Sequence, residues 1–195
     1  MPAPPTTGTR RIKPSINIVA ISGSLRATSL NTAVLQAASR LAPGGVKIEM
    51  FEGIGNLPFF NSDLDGDRLP REVAEFRAVI GAADGLLISS PEYARGVAGV
   101  MKNALDWLVA SFEFPNKPVA LINTSPRATH ALAALTITLE TMSARLVNDA
   151  SITLPLLGTT NDAASIAANA EFAAPLRRAL ERYVVAIRTF ARDEA

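Results

Sequence analysis

Ser15-Ile16-Asn17-Ile18-Val19-Ala20-Ile21-Ser22-Gly23-Ser24-Leu25-Arg26-Ala27-Thr28-Ser29-Leu30-Asn31 changes character twice. Ser15–Ser22 is a short, nearly continuous apolar run with β-branched residues, which reads as a buried parallel strand. Gly23–Thr28 is a polar turn. Beyond it Leu30, Val34, Ala37, Ala38 and Leu41 recur at i, i+4, i+7, i+8 and i+11 and trace one apolar helical face. Pro43-Gly44-Gly45 stops that helix. Strand, polar turn and amphipathic helix in this order form the first half of a βαβ unit.

The rest of the chain repeats the alternation. Val46–Phe51 reads as a second strand, residues 53–70 as a long loop and Arg71–Ala83 as a helix. Gly85–Ser90 reads as a third strand, and Val97, Val100, Met101, Ala104, Leu105 and Leu108 as the next helical stripe. Lys117–Thr124 is a fourth strand, Ala128–Arg145 a helix, and Leu146–Leu154 a fifth strand interrupted by Asn148-Asp149. From Asp162 the chain is helical, with a break expected near Pro175. Strict alternation predicts an α/β protein, a parallel sheet with helices on both faces. Five strands joined by right-handed crossovers favour a flavodoxin-like three-layer α/β/α sandwich of order 2-1-3-4-5. In such sheets ligands sit beyond the carboxyl ends of the strands, at the switch point between strands 1 and 3. No internal repeat or second domain is evident. Residues 1–14, rich in proline and small polar residues, read as a disordered tail, and 15–195 as one domain.

Composition removes several function classes. The formal net charge of +1 carries no polyelectrolyte signature, and no basic stripe suits nucleic acid. No apolar run reaches a membrane span, and Met1–Gly8 lacks the apolar core of a secretory leader, so a cytoplasmic location is expected. With no cysteine and one histidine, thiol chemistry, cysteine-ligated clusters and most zinc sites are excluded, and no metal ligand set is assigned. Redox work in such a chain requires a bound organic cofactor.

The turn after strand 1 has phosphate chemistry. A helix N-terminus offers unpaired N–H groups and partial positive charge. Ser24, Thr28, Ser29 and Asn31 add polar side chains, and Arg26 can grip a dianion through parallel hydrogen bonds. Neither G-x-G-x-x-G nor G-x-x-x-x-G-K-[ST] occurs, so one monophosphate fits better than a nucleotide triphosphate. The structural alternative is a polar turn with Ser29 as an ordinary N-cap.

The loop after strand 3 is more distinctive. Ser89-Ser90-Pro91-Glu92-Tyr93-Ala94-Arg95-Gly96-Val97-Ala98-Gly99-Val100-Met101-Lys102-Asn103-Ala104-Leu105-Asp106-Trp107, together with G-S-L-R-A-T-S-L-N, resembles the NADPH-dependent FMN reductase family, over about Ile16–Pro155. That family includes bacterial quinone, chromate and azo-dye reductases. The resemblance implies FMN at the switch point, its phosphate held by Ser24, Arg26, Ser29 and Asn31, with Leu30 beside them. It implies Pro91, Glu92 and Tyr93 along the flavin ring edge, joined by Ala94, Arg95, Gly96 and Ser125. The chain departs from the family at Ala94, where asparagine is usual, at Ala98, often proline, and at Ser125-Pro126-Arg127, often a glycine pair.

The function so implied is two-electron transfer from NADPH or NADH through FMN to a small acceptor: a quinone, azo compound, metal oxyanion or free flavin. The flavin carries the chemistry, and no side chain is assigned a catalytic role. The family resemblance also implies a homodimer or homotetramer. A non-enzymatic electron carrier or a flavin-binding protein without turnover are the alternatives; carriers of that kind are usually strongly acidic, unlike this chain. Arg95 and Arg127 are extra cations that suit dinucleotide phosphates or a solvated surface. Asn61–Glu72 has the spacing of a calcium loop but follows no helix and carries Arg68, so it reads as a surface loop. His130 reads as peripheral, Trp107 as core or interface, and Lys102 with Asp106 as a surface pair.

Overall fold

The computed structural model describes residues 15–156, 158 and 162–193; the expected tail 1–14 lies outside them. Strands β1 (Ile16–Ser22), β2 (Val46–Met50) and β3 (Gly85–Ser89) alternate with helices α1 (Leu30–Arg40) and α2 (Arg71–Ala82). A hairpin, β4 (Glu92–Tyr93) and β5 (Gly96–Val97), precedes α3 (Gly99–Asp106). Then come β6 (Pro118–Asn123), α4 (Thr129–Thr141), β7 (Arg145–Leu146), β8 (Ile152–Thr153), α5 (Ala163–Ala168) and α6 (Ala170–Asp193).

The sheet runs β2-β1-β3-β6-β7, all parallel, with β8 also paired to β6. This is the flavodoxin-like order, with a correction to the strand count: the fifth position holds two short strands, so the sheet has six. A single helical turn at Asn148–Ala150 separates them. Where the ladder is interrupted, the Ser151 hydroxyl accepts from Leu121 N–H at 3.0 Å, so the inner strand keeps its bond.

Alternation along the strands builds two cores. Ile18, Ala20, Leu87, Ala120 and Ile122 pack under α1, α5 and α6. Val19, Ile21, Leu86, Ile88, Val119 and Leu121 pack under α2, α3 and α4. Tyr183 on α6 is fully buried, its hydroxyl 2.7 Å from the Leu86 carbonyl and 2.8 Å from that of Pro118, bridging β3 and β6. Gly85 makes room for it: a Cβ there would lie 2.5 Å from the Tyr183 hydroxyl.

Three boundaries differ from the sequence reading. α4 ends at Thr141, not Arg145, because Ser143 takes a left-handed φ of 64° and Ser143 and Ala144 N–H return to Glu140 and Leu139, a Schellman closure. The C-terminal helix breaks at Asn169, whose side chain accepts from Glu171 N–H, rather than at Pro175. Pro175 sits near the start of α6, where the carbonyl opposed by its ring belongs to the first turn. Val97 lies in β5 rather than in the helix.

Trp107 is core: fully buried, it donates to the Pro58 carbonyl at 2.7 Å and meets the Phe60 ring edge-on at 5.0 Å. The calcium-like spacing is accounted for otherwise. Arg77 grips both Asp65 carboxylate oxygens, at 2.8 and 3.0 Å, and donates to the Trp107 carbonyl, pinning the loop to the end of α3. Lys102 and Asp106 form the expected pair on α3.

Candidate cofactor cleft

The turns after β1, β3 and β6 enclose a cleft of about 910 Å3 at the switch point. Three local features explain why those turns converge. Asn31, in the first turn of α1, is buried, and its carbonyl oxygen accepts from Ser89 Oγ (2.9 Å) at the end of β3 and Thr124 Oγ1 (3.3 Å) after β6. The Ser22 and Thr32 hydroxyls, 2.8 Å apart, tie the end of β1 to the same helix. Gly23 lets the β1 turn lie directly on the β3 turn: a Cβ there would fall 2.3 Å from Ser90 Oγ and 3.1 Å from its Cα.

The first wall is Ser24–Ala33. Ser29 caps α1, its hydroxyl accepting from Thr32 N–H at 3.3 Å. The alternative reading of Ser29 therefore holds as geometry, yet it consumes one donor of several. The backbone N–H groups of Ala27, Thr28, Ser29 and Leu30 meet no acceptor among the described residues, and α1 carries no acidic side chain in its first turn. A phosphate monoester fits this wall: several open N–H donors, a positive helix end with no carboxylate of its own, and an exposed Arg26 guanidinium.

The second wall is Ser90–Tyr93. Glu92 does not simply point along it. One of its carboxylate oxygens accepts from Ala131 N–H at 2.9 Å, so it caps α4 from outside. The helix needs this, since its own N-cap residue is Ala128 and provides no side-chain cap. Tyr93, half-exposed, remains on the cleft. Between Tyr93 and Gly96 the hairpin turns through Ala94 (φ 49°) and Arg95 (φ 59°). Two successive left-handed residues make a type I′ turn, normally the place of asparagine and glycine. Ala94, Arg95 and Gly96 form this tip and do not line the cleft.

The third wall is Asn123–Ala128. The Asn123 amide donates to the Ser125 carbonyl (2.7 Å) and accepts from Ser125 N–H (3.2 Å), while Ser125 Oγ accepts from Arg127 N–H (3.2 Å). Asp162 closes the far end and caps α5, and two hydrogen bonds from Ser165, the backbone one first, hold its carboxyl below the usual range. Of the twelve site residues expected from sequence, the structure gathers Ser24, Arg26, Ser29, Leu30, Asn31, Pro91, Glu92, Tyr93 and Ser125 on one cleft. Sequence reading missed Asn123, Thr124 and Asp162. The position of Asn123-Thr124 at the carboxyl end of a central strand was the available signal. His130, exposed, is outside the lining.

Comparisons with known proteins point to one family. The sequence model of the NADPH-dependent FMN reductase family matches residues 16–155. The chain is 44% identical over 112 residues to the NAD(P)H-dependent FMN reductase of Pseudomonas aeruginosa, 56% of this chain and 60% of the relative. It is 40% identical over 114 residues to a 2-hydroxy-1,4-benzoquinone reductase of a Burkholderia species, 57% of this chain and 61% of the relative. Alignment thus spans about three fifths of these curated relatives. Among solved structures it superposes on FerB, a flavoenzyme NAD(P)H:(acceptor) oxidoreductase of Paracoccus denitrificans, with TM-score 0.73 and 29% identity, covering 89% of this chain and 98% of that one. By the family match across most of its length, the chain belongs to the NADPH-dependent FMN reductase family.

Proposed function

We propose that this chain is an NAD(P)H-dependent, FMN-containing oxidoreductase that passes two electrons from the nicotinamide to a small acceptor of the quinone type. One observation carries the reading: the cleft at the switch point presents a row of open N–H donors with Arg26 in a chain of this family. Ser24, Arg26 and the backbone of Ala27–Leu30 hold the phosphate. Asn31 serves from behind, keeping the three turns at fixed spacing. Pro91, Tyr93 and Ser125 bound the remaining space, where a flat ring with one open face fits. The chemistry supplied by a bound flavin is reversible two-electron uptake. The protein contributes placement and electrostatics.

We further propose a homodimer or homotetramer. The exposed rings of Phe59 and Phe112, 91% and 98% accessible, support association. A cytoplasmic location is part of the same proposal; among the described residues no helix is long and apolar enough to cross a membrane.

The test is direct. Purified protein incubated with FMN and desalted should absorb near ~375 and ~450 nm as a bound flavin does, and should oxidise NADPH when benzoquinone is added. Arg26→Ala should cut flavin retention by about tenfold or more, as expected for losing a charge-assisted contact to phosphate. A colourless protein that takes up no FMN and leaves NADPH and NADH unoxidised overturns the proposal.

A further inference from the structure

The cleft holds two guanidinium groups, and one phosphate at the α1 end accounts for only one of them. Arg26 lies on the turn after β1 and Arg127 on the turn after β6. In the sheet order β1-β3-β6 those turns stand two strands apart, about 10 Å at the usual strand spacing. Both side chains are exposed and meet no acceptor among the described residues. The carboxylates of the same cleft are occupied: Glu92 accepts from Ala131 N–H and Asp162 from Ser165. Neither carboxylate pairs with either guanidinium among the described residues, so Arg127 is open to an anionic ligand.

Arg127 is also held in place. Asn123 fixes Ser125 through two hydrogen bonds, Ser125 Oγ accepts from Arg127 N–H, and Ala128 N–H returns to the Ser125 carbonyl at 3.1 Å. This closed turn presents the guanidinium from a rigid base, which lowers the ordering cost of a contact. The open volume, about 910 Å3, lies near the upper end of the roughly 300–1,000 Å3 of ordinary ligand sites, so a second molecule can share it.

We propose that Arg127 binds a phosphate of the incoming nicotinamide dinucleotide, forming a reductant subsite separate from the flavin phosphate site at Arg26. This rests on the functional reading above. Two phosphates of the reductant have the required chemistry, the 2′-phosphate of NADPH and the pyrophosphate common to NADPH and NADH. A guanidinium pairs with either through parallel N–H bonds.

Steady-state kinetics of the FMN-loaded protein decide it, with NADPH and NADH each varied at fixed benzoquinone. In Arg127→Ala the KM for NADPH should rise roughly tenfold, the loss of one charge-assisted contact, while bound flavin and its absorbance spectrum stay as in the wild type. Arg127→Lys should recover part of the loss. Arg178→Ala, the same charge removed from an exposed site on α6, should leave KM unchanged. A rise for NADPH alone assigns the 2′-phosphate; a rise for both reductants assigns the pyrophosphate. Unchanged KM values for both, or loss of flavin from Arg127→Ala, overturn the subsite. If the wild type itself binds no FMN and oxidises neither reductant, the broader functional reading fails instead.

Discussion

Ala94 and Arg95 occupy left-handed backbone, at φ 49° and 59°, where a side chain beyond glycine costs roughly 1–2 kcal/mol. Asparagine tolerates this region far better than alanine. Ala94→Asn should therefore stabilise the protein by about 0.5–1 kcal/mol, read as a higher urea midpoint with unchanged slope. A lower midpoint would show that the turn does not need that conformation. Asp65 carries a second residue-scale prediction. Its hydrogen bonds to Arg77, reinforced by the guanidinium charge, hold the carboxyl below its ordinary 3.8 despite partial burial. A depressed folded-state value means that the pair's stabilisation is present above the unfolded pKa and fades as pH falls through the folded one. Asp65→Asn should cost about 1–3 kcal/mol at neutral pH, and the gap should shrink below about pH 4. A gap that stays constant down to pH 2 would refute the linkage.

At the scale of elements, the join between the hairpin and α4 matters most. Glu92 gives the hairpin a fixed seat by supplying the cap that Ala128 cannot. Glu92→Ala should destabilise by about 1 kcal/mol, the ordinary value of a lost cap, and should speed amide exchange in the first turn of α4 and in β4–β5. Glu92→Gln keeps an acceptor oxygen and should restore most of the protection. Equal exchange in wild type and Glu92→Ala would separate the hairpin from the helix. None of this was legible from the sequence, because the glutamate and its partner amide are 39 residues apart and the tip, Ala94-Arg95, lacks the Asn-Gly signal that marks a two-residue hairpin. The apolar runs of β1, β3 and β6 were legible because strands buried on both faces have few polar positions to confuse their reading. The fifth strand was half legible. Asn148-Asp149 announced an interruption, but only the Ser151 hydroxyl bond to Leu121 shows how β6 tolerates it.

Across the whole molecule, Tyr183 links the layers. It belongs to α6, and its hydroxyl lies between carbonyls of β3 and β6. Burial pushes its ionisation well above the ordinary 10.0. An acid whose folded pKa is raised contributes stability that is complete below the unfolded value and is lost as pH climbs beyond it. Alkaline unfolding should thus steepen above about pH 10. Tyr183→Phe should flatten that loss while costing about 1 kcal/mol at neutral pH for the missing hydrogen bond. Denaturant titrations at pH 7 and above pH 10 check both parts, and an unaltered alkaline slope in Tyr183→Phe would assign the loss elsewhere. The cleft was legible at this scale as a place: alternating elements predicted the switch point, and motif residues predicted two of its three walls. The third wall was legible only in part: Ser125 was expected there, but Asn123-Thr124 looks like the plain end of a strand until Asn31 is seen reaching across to it.

The crowding of Gly23 against Ser90 has one more consequence. Two turns butted together without room for a methyl group cannot close down around a guest, and swinging them apart would break the 2.8 Å bond from Gly23 N–H to the Ser89 carbonyl. The receptacle is thus already shaped before anything enters, and emptying it should leave its outline intact. Flavin analogues with altered rings but an intact phosphate tail should exchange into the emptied protein by dialysis, with no denaturant and no refolding step.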